Sequence, residues 1–181
     1  MQQPAKPLLL LDVDGPLNPY AAKPHRRPEG YQTHRVKPDS WIARHPEKPA
    51  AHVRPLRLWL NPAHGPELLA LPYELVWCTT WKEEANTWIS PLLGLPRLPY
   101  VDWPKMHHGD PDGLHWKTRY LTSWAAGRPF AWVDDELEPQ DTEWIAANHP
   151  APALTLCIDH RVGLQPADFA TLAAWAEAVE A

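Results

Sequence analysis

Four short apolar runs punctuate the chain, at residues 8–13, 73–78, 130–133 and 153–158. None alternates with a period of two, so each predicts a strand buried on both faces rather than one with a wet side. A weaker run at 98–101 predicts a fifth. Between them, apolar spacing and turn residues predict helices over 62–71, 82–93, 116–126, 139–148 and 166–180. Asn61 is placed to cap the first of these. Pro166 suits the first turn of the last, where its missing amide costs nothing, and Ala167, Phe169, Ala170, Leu172, Ala173 and Trp175 supply an apolar stripe. Strands alternating with helices predict an α/β fold: a three-layer sandwich with a parallel, five-stranded Rossmann-like sheet, in one domain over 1–181.

Residues 16–57 break the alternation. They are proline-rich, lack strong periodicity and are basic: Lys23, Arg26, Arg27, Arg35, Lys37, Arg44 and Lys48 outnumber Glu29, Asp39 and Glu47. Residues 31–36 and 52–60 have the composition to pair as a hairpin. A structureless insert of this length inside a compact domain is a functional loop or a disordered segment, so 16–57 is expected to form a flap or cap.

At 181 residues, with 44% hydrophobic and 22% charged, the chain can bury a core, which excludes a wholly disordered protein. Its 23 prolines imply short helices and extended connections. The net charge of −5 argues against a protein that coats nucleic acid with its whole surface. Cys78 and Cys157 lie in apolar runs and are expected to be buried, inert thiols in a reducing compartment. Four leucines ended by an aspartate are too short for a signal peptide or a membrane span, so a cytoplasmic protein without a membrane partner is expected. Of the 11 tryptophans, Trp59, Trp124 and Trp175 read as packing residues. The others suit core or cleft wall, with base stacking as the functional alternative.

The chemistry concentrates at the carboxyl ends of the predicted strands, where open parallel sheets bind ligands. The first run closes as LDVDG. Asp12 and Asp14 are two residues apart and point the same way from a strand. Two carboxylates that close are costly unless a cation lies between them or one is protonated. Both remedies suit phosphoryl transfer: magnesium favours oxygen ligands, an ionised Asp12 can attack phosphorus, and Asp14 can protonate the leaving oxygen. The second run ends in Thr79 and Thr80, where a hydroxyl and the amides of a helix start form an anion site; the plain alternative is an N-cap. The run at 130–133 ends in Asp134 and Asp135, a second acidic pair able to hold a metal. Lys117 stands at a predicted helix start and is able to neutralise nucleophile and phosphate. His107, His108 and His115 lack the spacing and cysteine neighbours of a zinc site.

In this order, LDVDG, WCTTW, HWKTR and WVDDE resemble the motifs of the haloacid dehalogenase-like hydrolases. DVDGPLNPY, VWCTTWKEEAN, LLGLP and GRPFAWVDDE look like a compact bacterial branch of it, related to domains of RNA-repair proteins. The resemblance implies an aspartyl-phosphate on Asp12, with Asp14 as general acid and then base. It implies phosphoryl oxygens bound by Thr79, with Gly15, Thr80 and Trp81 contributing, and Lys117 holding Asp12 and the phosphate. Thr79 and Thr80 are not separable from sequence; Thr79 is preferred as the first hydroxyl after the strand. Magnesium would be held by the Asp12 carboxylate, the Asp14 backbone carbonyl and Asp135, with Asp134 a ligand or its neighbour. The family's strand order would keep the Cys78 and Cys157 strands beyond disulfide reach. Pro16 departs from the bulky residue or threonine usual after DxDG. The implied function is hydrolysis of a small phosphomonoester. The alternatives are a nucleic-acid end phosphatase, with the basic flap tracking the backbone, or a binding protein with little turnover.

Overall fold

A computed structural model describes residues 6–180. In chain order the elements begin with β1 (Leu8–Leu11), β2 (Gln32–Val36), α1 (Asp39–Ala43), β3 (Leu56–Leu60), α2 (His64–Ala70) and β4 (Glu74–Trp77). They continue with α3 (Glu84–Trp88), α4 (Ser90–Leu93), α5 (Thr118–Trp124), β5 (Phe130–Asp134), α6 (Pro139–Asn148), β6 (Ala153–Cys157) and α7 (Pro166–Glu180).

Strand β1 has four leucines, and strand geometry sends them alternately to the two sides of the sheet. Leu9 and Leu11 join one core with Leu68 of α2, Ala85 of α3, Leu93 of α4 and Leu172 of α7. Leu8 and Leu10 join a second core with Leu121 of α5 and Ile145 of α6. All four are buried, each worth about 2 kcal/mol of transfer free energy, so a run without polarity period marks the centre of the sheet. The sheet is parallel throughout, in the order β4-β1-β5-β6, with a helical layer on each face. Among the described residues, no helix is long and apolar enough to cross a membrane.

The sheet has four strands, not five. Residues 98–101 contribute only an isolated bridge from Tyr100 to Trp77, held by two backbone bonds of 2.9 Å, because Pro96 and Pro99 limit the donors that a ladder needs. The helix expected over 82–93 is split. Lys82 adopts φ +48°, outside helical space, and Pro91 has no amide for the carbonyl of Thr87. Cys157 is exposed, contrary to the expectation: β6 is an edge strand and its last residue outruns the covering layer. Cys78 is buried, and the two cysteines belong to opposite edges of the sheet.

The segment 16–57 is ordered rather than structureless. Its strand β2 pairs antiparallel with β3, from Gln32↔Leu60 to Val36↔Leu56, and α1 lies in the connection. Leu58 and Leu60 sit in the same core as Leu9 and Leu11, so the flap is rooted beneath the sheet's own helices.

Candidate functional site

Parallel register assembles the site. Leu11 lies level with Trp77 on one side and Val133 on the other. The residues next in line, Asp12, Cys78 with Thr79, and Asp134, therefore leave the sheet along one edge. The amide of Asp12 still donates to Val133 O at 3.0 Å, which keeps its Cα in line with the strand.

Lys117 comes to this edge from the start of α5. Its Nζ donates to Asp12 Oδ2 at 2.6 Å and to Asp134 Oδ2 at 2.7 Å, and its side chain is 2% exposed. Burial pushes the Asp12 carboxyl up to about 8, opposed by the Lys117 ammonium and reinforced by the Asp134 charge. Burial also works against Asp134, but the ammonium, and then His115, hold it below the ordinary carboxylate range. With both carboxyls ionised, the cluster of one cation and two carboxylates lacks one positive charge; the raised Asp12 carboxyl reflects that deficit. The segment carrying Lys117 is pinned on both sides by Asp141, buried in the first turn of α6. Asp141 Oδ1 accepts from His115 N at 2.9 Å and Thr118 Oγ1 at 2.6 Å.

Asp14 faces elsewhere. Its Oδ1 accepts from Asn18 Nδ2 at 2.8 Å and its Oδ2 from the indole Nε1 of Trp81, also at 2.8 Å. Asn18 is buried and its Oδ1 accepts the amide of Trp59 in β3 at 3.0 Å, so one side chain links Asp14 to the flap. The turn between them needs glycine. Gly15 has φ +91°, and a Cβ there would lie 2.4 Å from Asp135 Cγ. Gly15 therefore packs directly against Asp135, and its side of the turn does not line the cavity. Pro16 is tolerated because the turn closes through Leu17 N and Asn18 N, both donating to Val13 O. Gly15→Ala should lose about 1–2 kcal/mol from the left-handed backbone alone, and more from the displacement of Asp135. Thermal melting compared with Asn61→Ala, a substitution outside this turn, checks it.

Thr79 is fully buried and Thr80 reaches the cavity wall. Thr79 Oγ1 accepts the Trp81 amide at 3.4 Å, shaping the turn after β4. The accessible hydroxyl is thus on Thr80, although the sequence reading preferred Thr79. Indoles brace the whole edge: Trp103 Nε1 donates to Thr79 O at 3.0 Å and Trp132 Nε1 to Asp134 Oδ2 at 3.2 Å, beside the Trp81–Asp14 bond.

Asp12, Asp134 and Asp135 each offer a carboxylate oxygen within 4.8 Å of the others. The donors are all hard oxygens and the cluster is short of positive charge, which suits magnesium rather than zinc. The Asp14 carboxylate is not in that group. Asp134 is committed to Lys117 and Trp132, and its Oδ1 accepts the Glu136 amide at 3.1 Å. Asp135 Oδ2 accepts from Tyr20 Oη at 3.0 Å and lies 3.2 Å from His160 Nδ1. Of the histidines set aside, His115 approaches Asp134 and Glu136 and shares a separate hollow with His107 and His108, while His107 also lines the main cavity.

All this opens into one cavity of about 510 Å³, lined by Asp12, Asp14, Thr80, Trp81, Lys117 and Asp135 from the sheet side. The flap closes the other side with Pro38, Trp41, Arg44, Leu56 and Arg57. The sequence reading passed over Asn18, Asp141, Arg44 and Arg57 as site residues. Arg54 and Arg57 also belong to the basic segment and enlarge its excess of positive charge. Asp141 was findable, as an acidic residue in the first turn after Pro139. Trp132 was too, two residues before Asp134 and hence on the same side of its strand. Asn18 acts from an irregular turn, where spacing carries no signal. The chain matches no protein-family model, no curated protein and no solved structure.

Proposed function

We propose that the protein is a magnesium-dependent phosphomonoester hydrolase of the haloacid dehalogenase-like kind, acting through an aspartyl-phosphate on Asp12. The observation that carries this is Asp12 held 2.6 Å from a buried lysine at the floor of a cavity that Asp14 also lines. A carboxylate at a strand end with its own buried cation is a poor structural device, since burying such a group is costly, but a good nucleophile for an anionic group.

In the first step Asp12 forms a bond to phosphorus as the bond to the leaving oxygen breaks, and Asp14 delivers a proton to that oxygen. In the second, Asp14 takes a proton from water, whose oxygen attacks phosphorus and releases inorganic phosphate and Asp12. Asn18 and Trp81 fix both oxygens of Asp14 and so its aim. Lys117 offsets charge on Asp12 and on the phosphoryl group, and the Thr80 hydroxyl with the turn amides receives the phosphoryl oxygens. Magnesium held by the Asp12 and Asp135 carboxylates and the Asp14 carbonyl, with Asp134 behind, would supply the positive charge the cluster lacks.

A small substrate is favoured over a nucleic-acid end. Only Arg44 and Arg57 of the basic segment line the cavity, whereas Lys37 is tied to Ala50 O at 2.8 Å and Lys48 lies 3.5 Å from Glu47. Two cations make a pocket wall, not a rail for a polyanion. The purified protein should release phosphate from an activated aryl phosphate with magnesium, lose this with chelator, and recover poorly with calcium, whose looser coordination misplaces the attacking oxygen. Undiminished release in excess chelator contradicts the proposal.

A further inference from the structure

The cavity is far larger than a phosphoryl group requires. Its volume of about 510 Å³ falls in the range that encloses a whole small organic ligand. Its two sides also differ in charge. The sheet side is acidic, with Asp12, Asp14, Asp135 and Glu136 beside Lys117; the flap side has Arg44 and Arg57 and no carboxylate.

Neither arginine is neutralised. Among the described residues, neither guanidinium has a carboxylate within ion-pair distance, in contrast to Arg97, Arg119, Arg128 and Arg161. Arg57 is fixed by stacking: its guanidinium carbon lies 3.8 Å from the centre of the Trp59 ring, whose Nε1 is anchored to Thr33 Oγ1 at 3.0 Å. Stacking holds the planar fork while leaving its N–H donors for a ligand, the arrangement that best receives a phosphate. Two flat faces line the same cavity, Trp41 from the flap and Trp116 next to Lys117. Trp41 is set by its bond from Nε1 to Arg54 O at 2.9 Å, and Trp116 by an edge-to-face contact with Trp103 at 5.1 Å. Indole faces with fixed planes favour a planar aromatic ring.

We propose that the substrate is a small phosphomonoester carrying a planar aromatic ring and a second anionic group, the chemistry of a nucleoside bisphosphate. This rests on the phosphatase reading of the same cavity. One phosphoryl group lies at Asp12, the ring lies along Trp41 or Trp116, and the second anion meets Arg44 and Arg57.

The test measures kcat/KM with magnesium for glycerol phosphate, a nucleoside 5′-monophosphate, a nucleoside 3′,5′-bisphosphate and a 3′-phosphorylated oligonucleotide. The ring and the second anion should each raise it about tenfold, the scale of one stacked base and one charged hydrogen-bonded pair. Arg44→Ala and Arg57→Ala should each erase most of the advantage of the bisphosphate over the monophosphate, chiefly through KM. Trp41→Leu should erase part of the advantage of the monophosphate over glycerol phosphate. Equal rates for glycerol phosphate and the bisphosphate overturn the inference and leave the phosphatase reading intact. So does a tenfold preference for the oligonucleotide. If no ester is hydrolysed, calorimetry with the bisphosphate decides. Binding that Arg44→Ala weakens supports this ligand class and removes the phosphatase reading; no binding removes both.

Discussion

Asp12→Asn abolishes phosphate release, lowering kcat/KM by at least about 10²-fold, while the protein stays folded. Loss of a positioned catalytic group has this scale or more, and in the proposed mechanism the same group also bonds to phosphorus. Asparagine keeps the volume of aspartate, and its one carbonyl can accept either the Val13 amide, which Asp12 Oδ1 receives at 2.7 Å, or the Lys117 ammonium, but not both. Lys117 keeps Asp134, so no buried cation is orphaned. The melting temperature should therefore move by only a few degrees. A rate within tenfold of the unaltered protein would remove Asp12 from the reaction.

Lys117→Met costs both activity and stability. From sequence, Lys117 reads as a site cation whose removal affects rate alone, because a lone lysine at a helix start is ordinarily solvated. Its burial changes that expectation. The substitution leaves Asp12 and Asp134 facing each other without a cation in the interior, and breaking a buried pair of this kind costs about 3–5 kcal/mol. For a chain of this length that corresponds to a fall of roughly 10 °C in melting temperature. The loss should depend on pH, and its sign follows from the two carboxyls. Lys117 stabilises their ionised forms: Asp134, held below the ordinary carboxylate range, keeps its pair with Lys117 at pH 4, whereas the share that acts through Asp12 grows as pH rises towards 8. The gap between the melting curves of the two proteins should therefore persist at pH 4 and widen towards pH 8. A constant gap across that range would mean that Lys117 acts through packing and not through charge.

The sheet was legible where burial is two-sided. A run such as LLLL has one explanation at this length, and β1, β4, β5 and β6 all occur at predicted runs. The site followed from the same logic, because parallel strands deliver their last residues to one edge: Asp12, Thr79 and Asp134 needed only strand ends to be placed. Legibility failed where a backbone detail decides. Pro91 and the left-handed Lys82 divide one apolar stripe into two short helices, and a stripe does not reveal a missing amide. Residues 16–57 carry little periodicity because their order is distributed. Val36 and Leu56 pack on the core, Asn18 bridges β3 to Asp14, and α1 is tied down by Ser40 N donating to Glu84 Oε1 at 3.1 Å. Thr79 and Thr80 were separated only by which of them the turn after β4 buries.

The proposed bond between Asp12 and phosphorus can be trapped. Asp14→Asn removes the base that activates water, yet an activated aryl phosphate needs no proton to depart, so phosphorylation should outrun hydrolysis. The variant is mixed with aryl phosphate and magnesium, quenched in acid, digested, and its peptides examined by mass spectrometry. The account predicts one phosphoryl group per chain, on the peptide containing Asp12 and on that side chain, and none when magnesium is omitted. Magnesium-dependent turnover by the unaltered protein, with no phosphoryl group on Asp12 in the variant and undiminished turnover by Asp12→Asn, would contradict it.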